Sequence, residues 1–224
     1  MRFDHDFPTV MVLTRRGLCS LAALAFAGSG GCLDVLNGEP ARFVAPPAPV
    51  ADETLGETGY ELGTTDERVE TRTFEVAGQS REVEVVNRVI EYHRPIDMGP
   101  LGEARGAVFA TLCTPAVSVL GRTFNPVEDM TNREIAAEAQ SQYEELSIGP
   151  EIDRRPVRIL GEELALSTFE GEATFMGVGI DVFVHTALAE GEEEFVVVFG
   201  IYPRVLPGEE EAIVALAEGV RIDE

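Results

Sequence analysis

Alternating hydrophobic and polar positions predict a β-hairpin early in the folded part of the chain. The stretch 69–76 alternates, 77–80 is a polar turn that contains a glycine, and 81–94 is a long return strand. The return strand carries hydrophobic residues at both parities, so we expect either that both its faces are covered or that a bulge near Asn87 shifts the alternation. The continuously apolar stretch 107–112 predicts a buried strand.

Helical spacing appears after an irregular segment that contains Gly and Pro. Thr131 and Glu134 have the spacing of a capping box, in which each side chain bonds the backbone N–H of the other residue. The apolar residues that follow repeat at intervals of four, four and three, as on one helix face: Ile135, Ala139, Tyr143 and Leu146. Gly149-Pro150 is expected to end this helix, which we interpret as a cover for a sheet.

The remainder of the chain predicts a meander of strands closed by a second helix. The strand candidates are 157–160, 164–176, 180–188 and 194–202. Within the last of these, 195–199 has no polar alternation, which is typical of a central strand covered on both faces. Three acids from Glu209 onward suit the positive end of a helix dipole, and Gly219 is expected to end that helix.

These elements predict an α+β fold, with an antiparallel sheet of about six to seven strands and two main helices packed on it. The order of the elements resembles that of PsbP- and Mog1-like domains. The sequence shows no internal repeat, and residues 51–224 suffice for one domain with a substantial core. We therefore expect a single α+β domain over 51–224.

The N-terminal segment predicts export and anchoring. Arg15-Arg16 precedes the apolar run 18–27, as in a twin-arginine signal peptide, and small residues then lead to Cys32, a thiol that can be lipidated. Crossing about 30 Å of hydrocarbon takes roughly 20 apolar residues, so the run is too short for a membrane-spanning helix. We expect residues 1–31 to be a signal peptide. Cleavage without lipid is the alternative, because Ser29 stands where a Leu is usual.

Residues 32–50 predict a lipidated Cys followed by a tether. Their Pro- and Ala-rich composition is typical of an extended spacer, which would hold the domain off the outer face of the membrane. Apolar residues 10–13 lie upstream of the arginines, where a signal is normally polar, so Met11 is an alternative start to Met1.

The charge of the chain indicates its solvent. There are 40 Asp and Glu residues against 17 basic residues, all of them arginine, for a net charge of −23. Such a surface repels nucleic acid, which we exclude as a partner. At about 1 M salt the Debye length is only ~3 Å, so self-repulsion nearly vanishes in brine and the composition predicts a halophilic protein. An acidic patch for a cationic ligand is the weaker alternative, since the acids are spread along the chain.

Few residues after the signal carry catalytic chemistry. His93 and His185 lie far apart in sequence, without the spacing of a zinc site, and we interpret both as structural. The alternative is an extracytoplasmic hydrolase that uses His93 or His185 with carboxylates. Cys113 lies in an apolar strand and is interpreted as a buried hydrophobe, because no activating group is near it in sequence.

Familiar catalytic and cofactor motifs are missing from the sequence. There is no G-x-S-x-G elbow and no H-E-x-x-H, and the absence of lysine excludes both a P-loop and Schiff-base catalysis. Gly177-Val178-Gly179 lacks the third glycine of a dinucleotide loop. We therefore expect no cofactor and no metal, and interpret the domain as a binding or accessory protein whose partner is a small molecule or an envelope protein.

The chain resembles a family of haloarchaeal lipoproteins of unknown function, over most of the mature protein. The residues that carry the resemblance are Cys32-Leu33-Asp34, Thr58-Gly59-Tyr60, Asn87 with Glu91-Tyr92, Thr114-Pro115, Asn125-Pro126, Gly161-Glu162, and Pro203 with Pro207-Gly208-Glu209. Ser29 departs from the usual lipidation motif. The resemblance implies an envelope location and halophily, and it implies no active site.

Overall fold

The computed structural model describes residues 41–76, 79–97, 103–119, 122–123, 127–142, 145–175 and 178–223. The predicted signal peptide lies outside these residues, with Arg15 and Arg16, and so do Cys32 and the predicted tether up to residue 40. Tyr143 of the predicted helix face also lies outside them.

The described residues are mostly β-structure, in one large sheet and a two-stranded ribbon. The strands are β1 (Ala41–Val44), β2 (Glu61–Val76), β3 (Gln79–Asp97), β4 (Glu103–Pro115), β5 (Ser118–Val119), β6 (Arg122–Thr123), β7 (Leu146–Ile159), β8 (Glu162–Phe175), β9 (Val178–Glu190) and β10 (Glu194–Pro203). The main sheet has the order β1-β3-β4-β10-β9-β8-β7, and β2 also pairs with β3, while β5 and β6 form the ribbon.

The long strand β3 organises one end of the sheet. β2 pairs antiparallel along nearly its whole length. β4 pairs with residues 88–97 of β3, and β1 pairs in parallel with residues 83–86. Because a strand has two edges, β1 and β4 share the edge opposite β2. The sheet is therefore mixed, since the β1–β3 pair is parallel.

The described part of the chain contains three helices: α1 (Asp52–Thr58), α2 (Asn132–Gln142) and α3 (Glu209–Glu218). α1 packs against α3, while α2 and α3 cover the sheet. α3 packs on one face, where Ile213 and Leu216 are fully buried in the largest core cluster. α2 packs on the other face through Ala136, in a second cluster with Phe169 and Val184. The layers are thus helix, sheet and helix.

Two glycines let α3 lie close to its neighbours. A Cβ at Gly200 of β10 would lie 2.8 Å from Cδ1 and 2.9 Å from Cγ2 of Ile213, so only glycine leaves room for the helix over this strand. A Cβ at Gly219, just beyond the helix, would lie 2.7 Å from Oγ1 of Thr54 in α1. The missing Cβ atoms leave room for the Ile213 side chain over β10 and for the Thr54 side chain beside Gly219.

The α+β class is confirmed in outline, but the sheet differs from the prediction. It has eight strands rather than six to seven, and it is mixed rather than antiparallel. β1 was hidden by the Pro-rich composition around it. The first half of β2 was hidden because residues 61–68 carry polar side chains at both parities, which is a pattern that an edge strand exposed on both faces allows.

Residues 41–50 lie against the sheet, where the sequence predicted the second half of a tether over 32–50. Ala45, Ala48 and Val50 are each at most 2 % exposed and belong to the main core. The backbone of this segment bonds to β3 through Ala45 N–H and the Val86 carbonyl (2.9 Å). Small residues between the prolines fit close to the sheet, so residues 41–50 belong to the packed region and not to a free tether.

The first predicted helix ends earlier than Gly149-Pro150. α2 stops at Gln142, and Leu146 already begins β7, in which Leu146 and Ile148 are buried at alternate positions. Gly149-Pro150 lies inside β7, at a register shift between Ile148 and Glu151. Pro is tolerated in a strand at such an irregularity because it has no N–H to offer the ladder.

Other predicted features are confirmed. The capping box is present: Thr131 N–H donates to Oε2 of Glu134 (2.8 Å), and Glu134 N–H donates to Oγ1 of Thr131 (3.3 Å). β10 lies between β4 and β9, and Val196 and Val197, which point to opposite faces, are both buried.

The expected double coverage of the hairpin's return strand is also present. Val86 and Asn87 are neighbours in β3 with opposite side-chain directions, and both are buried. The register shifts of β3 are found elsewhere, at Arg94/Pro95 and opposite Leu62/Thr64, so no bulge forms near Asn87.

Candidate functional site

The two histidines lie on opposite faces of the sheet. Tyr92 belongs to the core on the α3 face, so its neighbour His93 points to the other face. His185 stacks on Tyr202, which belongs to the α3-side core. β3 and β9 are also separated by β4 and β10, a distance of about 14 Å at ~4.8 Å per strand. The structure does not bring His93 and His185 together.

His185 is a buried, neutral histidine held by two hydroxyl groups. It is 1 % exposed, its Nδ1 is 3.1 Å from Oγ1 of Thr168, and its Nε2 is 3.2 Å from the hydroxyl of Tyr202. The His185 and Tyr202 rings stack with centroids 5.4 Å apart. A neutral imidazole donates from one nitrogen and accepts at the other, and a hydroxyl serves either role. Both ring nitrogens are therefore used inside the fold.

Burial also lowers the pKa of His185, to about 4, because the charged imidazolium is penalised in a desolvated site. Nearby Arg155 lowers this pKa further, and Asp153 opposes the shift. An acid-base role near neutral pH would require a pKa near the working pH. His185 therefore does not have the properties that the hydrolase hypothesis needs.

His185 should make stability depend on pH between about 6.5, its pKa in the unfolded chain, and the folded-state value of about 4. In that window the unfolded chain binds the proton and the folded chain does not, so acid favours unfolding. We expect wild-type protein to lose about 2 kcal/mol more than His185→Gln between about pH 7.5 and about pH 5. The measurement is urea unfolding of both proteins at each pH.

Gln is the chosen replacement because its amide can both donate and accept, as the neutral imidazole does. Other titrating groups are common to the two proteins, so their effects cancel in the comparison. Equal losses of stability in wild-type and His185→Gln protein would contradict a buried neutral His185.

His93 is half-buried at the other end of the sheet. It lies beside the register shift of β2, where a Cβ at Gly63 would come within 3.0 Å of its Nδ1. That nitrogen is buried and has no hydrogen-bond partner. The carboxylate that the hydrolase hypothesis requires is not bonded to Nδ1.

The most unusual site in the described part of the chain surrounds a fully buried carboxylate, Glu209, the first residue of α3. Its Oε2 accepts a hydrogen bond from the hydroxyl of Tyr60 (2.8 Å), and its Oε1 forms an ion pair with the guanidinium of Arg94. Oε1 accepts no hydrogen bond of normal geometry, so the contact with Arg94 is ionic. We call Tyr60, Arg94 and Glu209 the buried triad, after its fully buried carboxylate; the Arg94 side chain itself is 30 % exposed.

The buried triad joins three elements. Tyr60 follows Gly59, which ends α1 with a positive φ of 72°, Arg94 belongs to β3, and Glu209 opens α3 after Gly208, which has a φ of 76°. The carboxylate lies at the positive end of the α3 dipole. Burial first, and the neighbouring Glu209 charge second, raise the pKa of Tyr60, so its hydroxyl stays protonated and donates.

The buried triad lies on the same face of the sheet as His185 and Tyr202. Tyr202 is close enough to Tyr60 and to Glu209 to interact electrostatically, and burial raises the pKa of Tyr202 as well. Arg155 of β7 bonds Glu210 of α3 at 2.7 Å. Polar side chains therefore line the sheet beneath the start of α3. Among them, Tyr60 and His185 form hydrogen bonds with other side chains of the domain.

Cys113 is a buried hydrophobe, as predicted. It is 0 % exposed in β4, and desolvation raises the pKa of its thiol to about 12. A thiol with so high a pKa forms almost no thiolate near neutral pH, which is the reactive form.

The described residues contain no group of three or more His, Cys, Asp or Glu side chains that could hold a metal ion. Within the same residues, no helix is long and apolar enough to cross a membrane. Arg15, Arg16 and Cys32, the predicted export and lipidation residues, lie outside the described part.

Sequence reasoning missed the buried triad. Glu209 was predicted only as one of three acids in the first turn of a helix, and that position is confirmed. Its burial has no sequence signal, because Tyr60 and Glu209 are separated by 149 positions and the sheet order alone brings them together.

Comparison with curated protein sequences found no match. A family model described as a domain of unknown function, DUF6517, matches residues 47–221. The matched region begins inside the segment 41–50 that packs on the sheet and ends beyond α3, so it includes the buried triad. The chain belongs to the DUF6517 family.

Proposed function

We propose that this protein is an exported lipoprotein, held at the outer face of the cell membrane through Cys32, and that its domain acts there as a ligand-binding or accessory protein. Export would depend on Arg15 and Arg16. The observation that supports a binding role over a catalytic one is that the buried polar side chains hydrogen-bond to other protein groups. Tyr60 bonds Glu209, and His185 bonds Thr168 and Tyr202.

The packing of residues 41–50 supports a short tether. Eight residues, 33–40, separate Cys32 from the start of β1. A chain spans at most about 3.6 Å per residue, so these residues reach no further than about 29 Å. An anchored domain would stay near the lipid headgroups and would meet partners at the membrane surface.

We also propose that the protein works in concentrated salt. Its net charge of −23 destabilises a compact chain by self-repulsion unless salt screens it. The melting temperature should rise between about 0.15 M and about 1 M salt, as followed by circular dichroism. A melting temperature that does not change would contradict halophily.

The anchor is tested by Cys32→Ala in the full chain, produced in a host that lipidates exported proteins. Without the thiol that carries the lipid, the variant should be found in the medium, while wild-type protein requires detergent for release from membranes. Cell fractionation and immunoblotting measure the distribution.

Cys113→Ala is the matched control, since this cysteine is buried in β4 and its loss should leave membrane association unchanged. A Cys32→Ala protein that still requires detergent would overturn the anchor.

A further inference from the structure

The outer edge of β2 carries no partner strand within the described residues. β2 pairs with β3 alone, and its side chains from Asp66 to Thr73 are all exposed. Val69, near the middle of the strand, is 54 % exposed. A long strand with a free edge presents unpaired N–H and C=O groups, which another strand can bond.

The charged residues along this edge would face opposite charges if a second copy of β2 ran antiparallel beside it. If two copies of β2 pair antiparallel with Val69 opposite Val69 of the second copy, each residue i faces residue 138 minus i. Arg68 then faces Glu70, and Asp66 faces Arg72, with each pair formed twice across the two-fold axis. Four opposite-charge pairs occupy one face, and Val69 meets its counterpart on the other face.

Neighbouring registers lack this match. Centring the pair on Arg68 places Arg68 opposite itself and Asp66 opposite Glu70. Centring it on Glu70 places Glu70 opposite itself and Arg68 opposite Arg72. Like charges directly opposite each other destabilise a strand pair, whereas opposite charges stabilise it by about 0.2–1 kcal/mol each. Of these three registers, only the one centred on Val69 avoids like charges opposite each other.

We propose that β2 is a self-association edge, through which two copies of this chain form an antiparallel two-fold dimer centred on Val69. The partner is a second copy because the charge order matches itself. In a chain of net charge −23, general repulsion opposes the pairing of two copies. The four opposite-charge pairs across the dimer supply the local attraction, by extending the Arg72–Glu70 ion pair that each copy already contains.

Cross-linking through Val69→Cys tests the register in the full chain, purified in detergent at about 0.15 M salt to screen long-range repulsion. Cross-strand partners have Cβ atoms about 5 Å apart, so a short thiol cross-linker should join two Val69→Cys chains. Thr65→Cys is the matched control, because in this register the two copies of residue 65 lie about 27 Å apart. The unsubstituted chain gives the background from its own cysteines.

Charge reversal tests the complementarity. In the Val69→Cys background, Arg68→Glu places two acidic pairs opposite each other and Glu70→Arg places two basic pairs opposite each other. We expect each variant alone to lose cross-linking about tenfold. Mixing the two should restore it, because a mixed dimer regains opposite charges at both positions.

Restoration on mixing also shows that both variants are folded, so loss in the separate proteins cannot be attributed to misfolding. Equal cross-linking at positions 65 and 69, or no recovery in the mixture, would overturn the β2 dimer. Neither result would bear on anchoring through Cys32, which is measured by fractionation.

Discussion

A chain that begins at residue 51 should fail to show the cooperative unfolding transition of a chain that begins at residue 41. The deletion removes β1 and four buried residues, which are Ala41, Ala45, Ala48 and Val50. It also removes backbone bonds that join both ends of the domain, because Arg221 N–H donates to the Pro49 carbonyl and Asp223 N–H donates to the Pro47 carbonyl.

The deletion also leaves polar groups in the core without partners. The hydroxyl of Tyr92 accepts from Val50 N–H (2.9 Å), and Oγ1 of Thr111 donates to the Ala48 carbonyl (2.7 Å). A buried group that loses its partner costs about 1–3 kcal/mol. Two such groups, together with the lost apolar burial, approach the whole stability of about 5–15 kcal/mol expected for a domain.

Urea unfolding of the 41–224 and 51–224 proteins, followed by near-ultraviolet circular dichroism, makes the comparison. The 41–224 protein keeps every contact described above and serves as the control. If the 51–224 protein unfolds with the same midpoint, residues 41–50 behave as the tether that composition predicts, and their packing on the sheet contributes nothing.

The sequence predicted correctly those features that depend only on residues close together in the chain. The capping box of Thr131 and Glu134 and the apolar run of β10 are local, and both predictions are confirmed. The segment 41–50 was misassigned because Pro and Ala are typical of spacers. Whether such a segment packs depends on the surface that the folded sheet offers it, and no local pattern in the sequence records that surface.

The site could not be predicted for the same reason. His185 was correctly interpreted as a structural histidine, since its apolar strand implies burial. Glu209 was placed at a helix start, but its ion pair with Arg94 depends on where β3 lies relative to α3. A single sequence contains many acidic residues, and it does not show which of them will be buried beside a tyrosine and an arginine that are distant in the chain.

Replacing Arg94 by Leu should lower the free energy of unfolding by about 3 kcal/mol, because it leaves the Glu209 charge buried without its cation. Glu209 is 0 % exposed, so water cannot replace the guanidinium readily. The tyrosine hydrogen bond remains, but one neutral donor does not compensate a desolvated carboxylate. Chemical denaturation of both proteins at neutral pH gives the difference.

Two further variants separate lost charge pairing from lost packing. Glu209→Gln removes the charge while its side-chain carbonyl can still accept from Tyr60, so Arg94→Leu combined with Glu209→Gln should recover most of the loss. Arg72→Leu breaks a pair with Glu70 in which both side chains are about half exposed, and it should cost less than about 1 kcal/mol. If the double variant is no more stable than Arg94→Leu alone, the buried charge is not what Arg94 stabilises, and its aliphatic contacts must account for the loss.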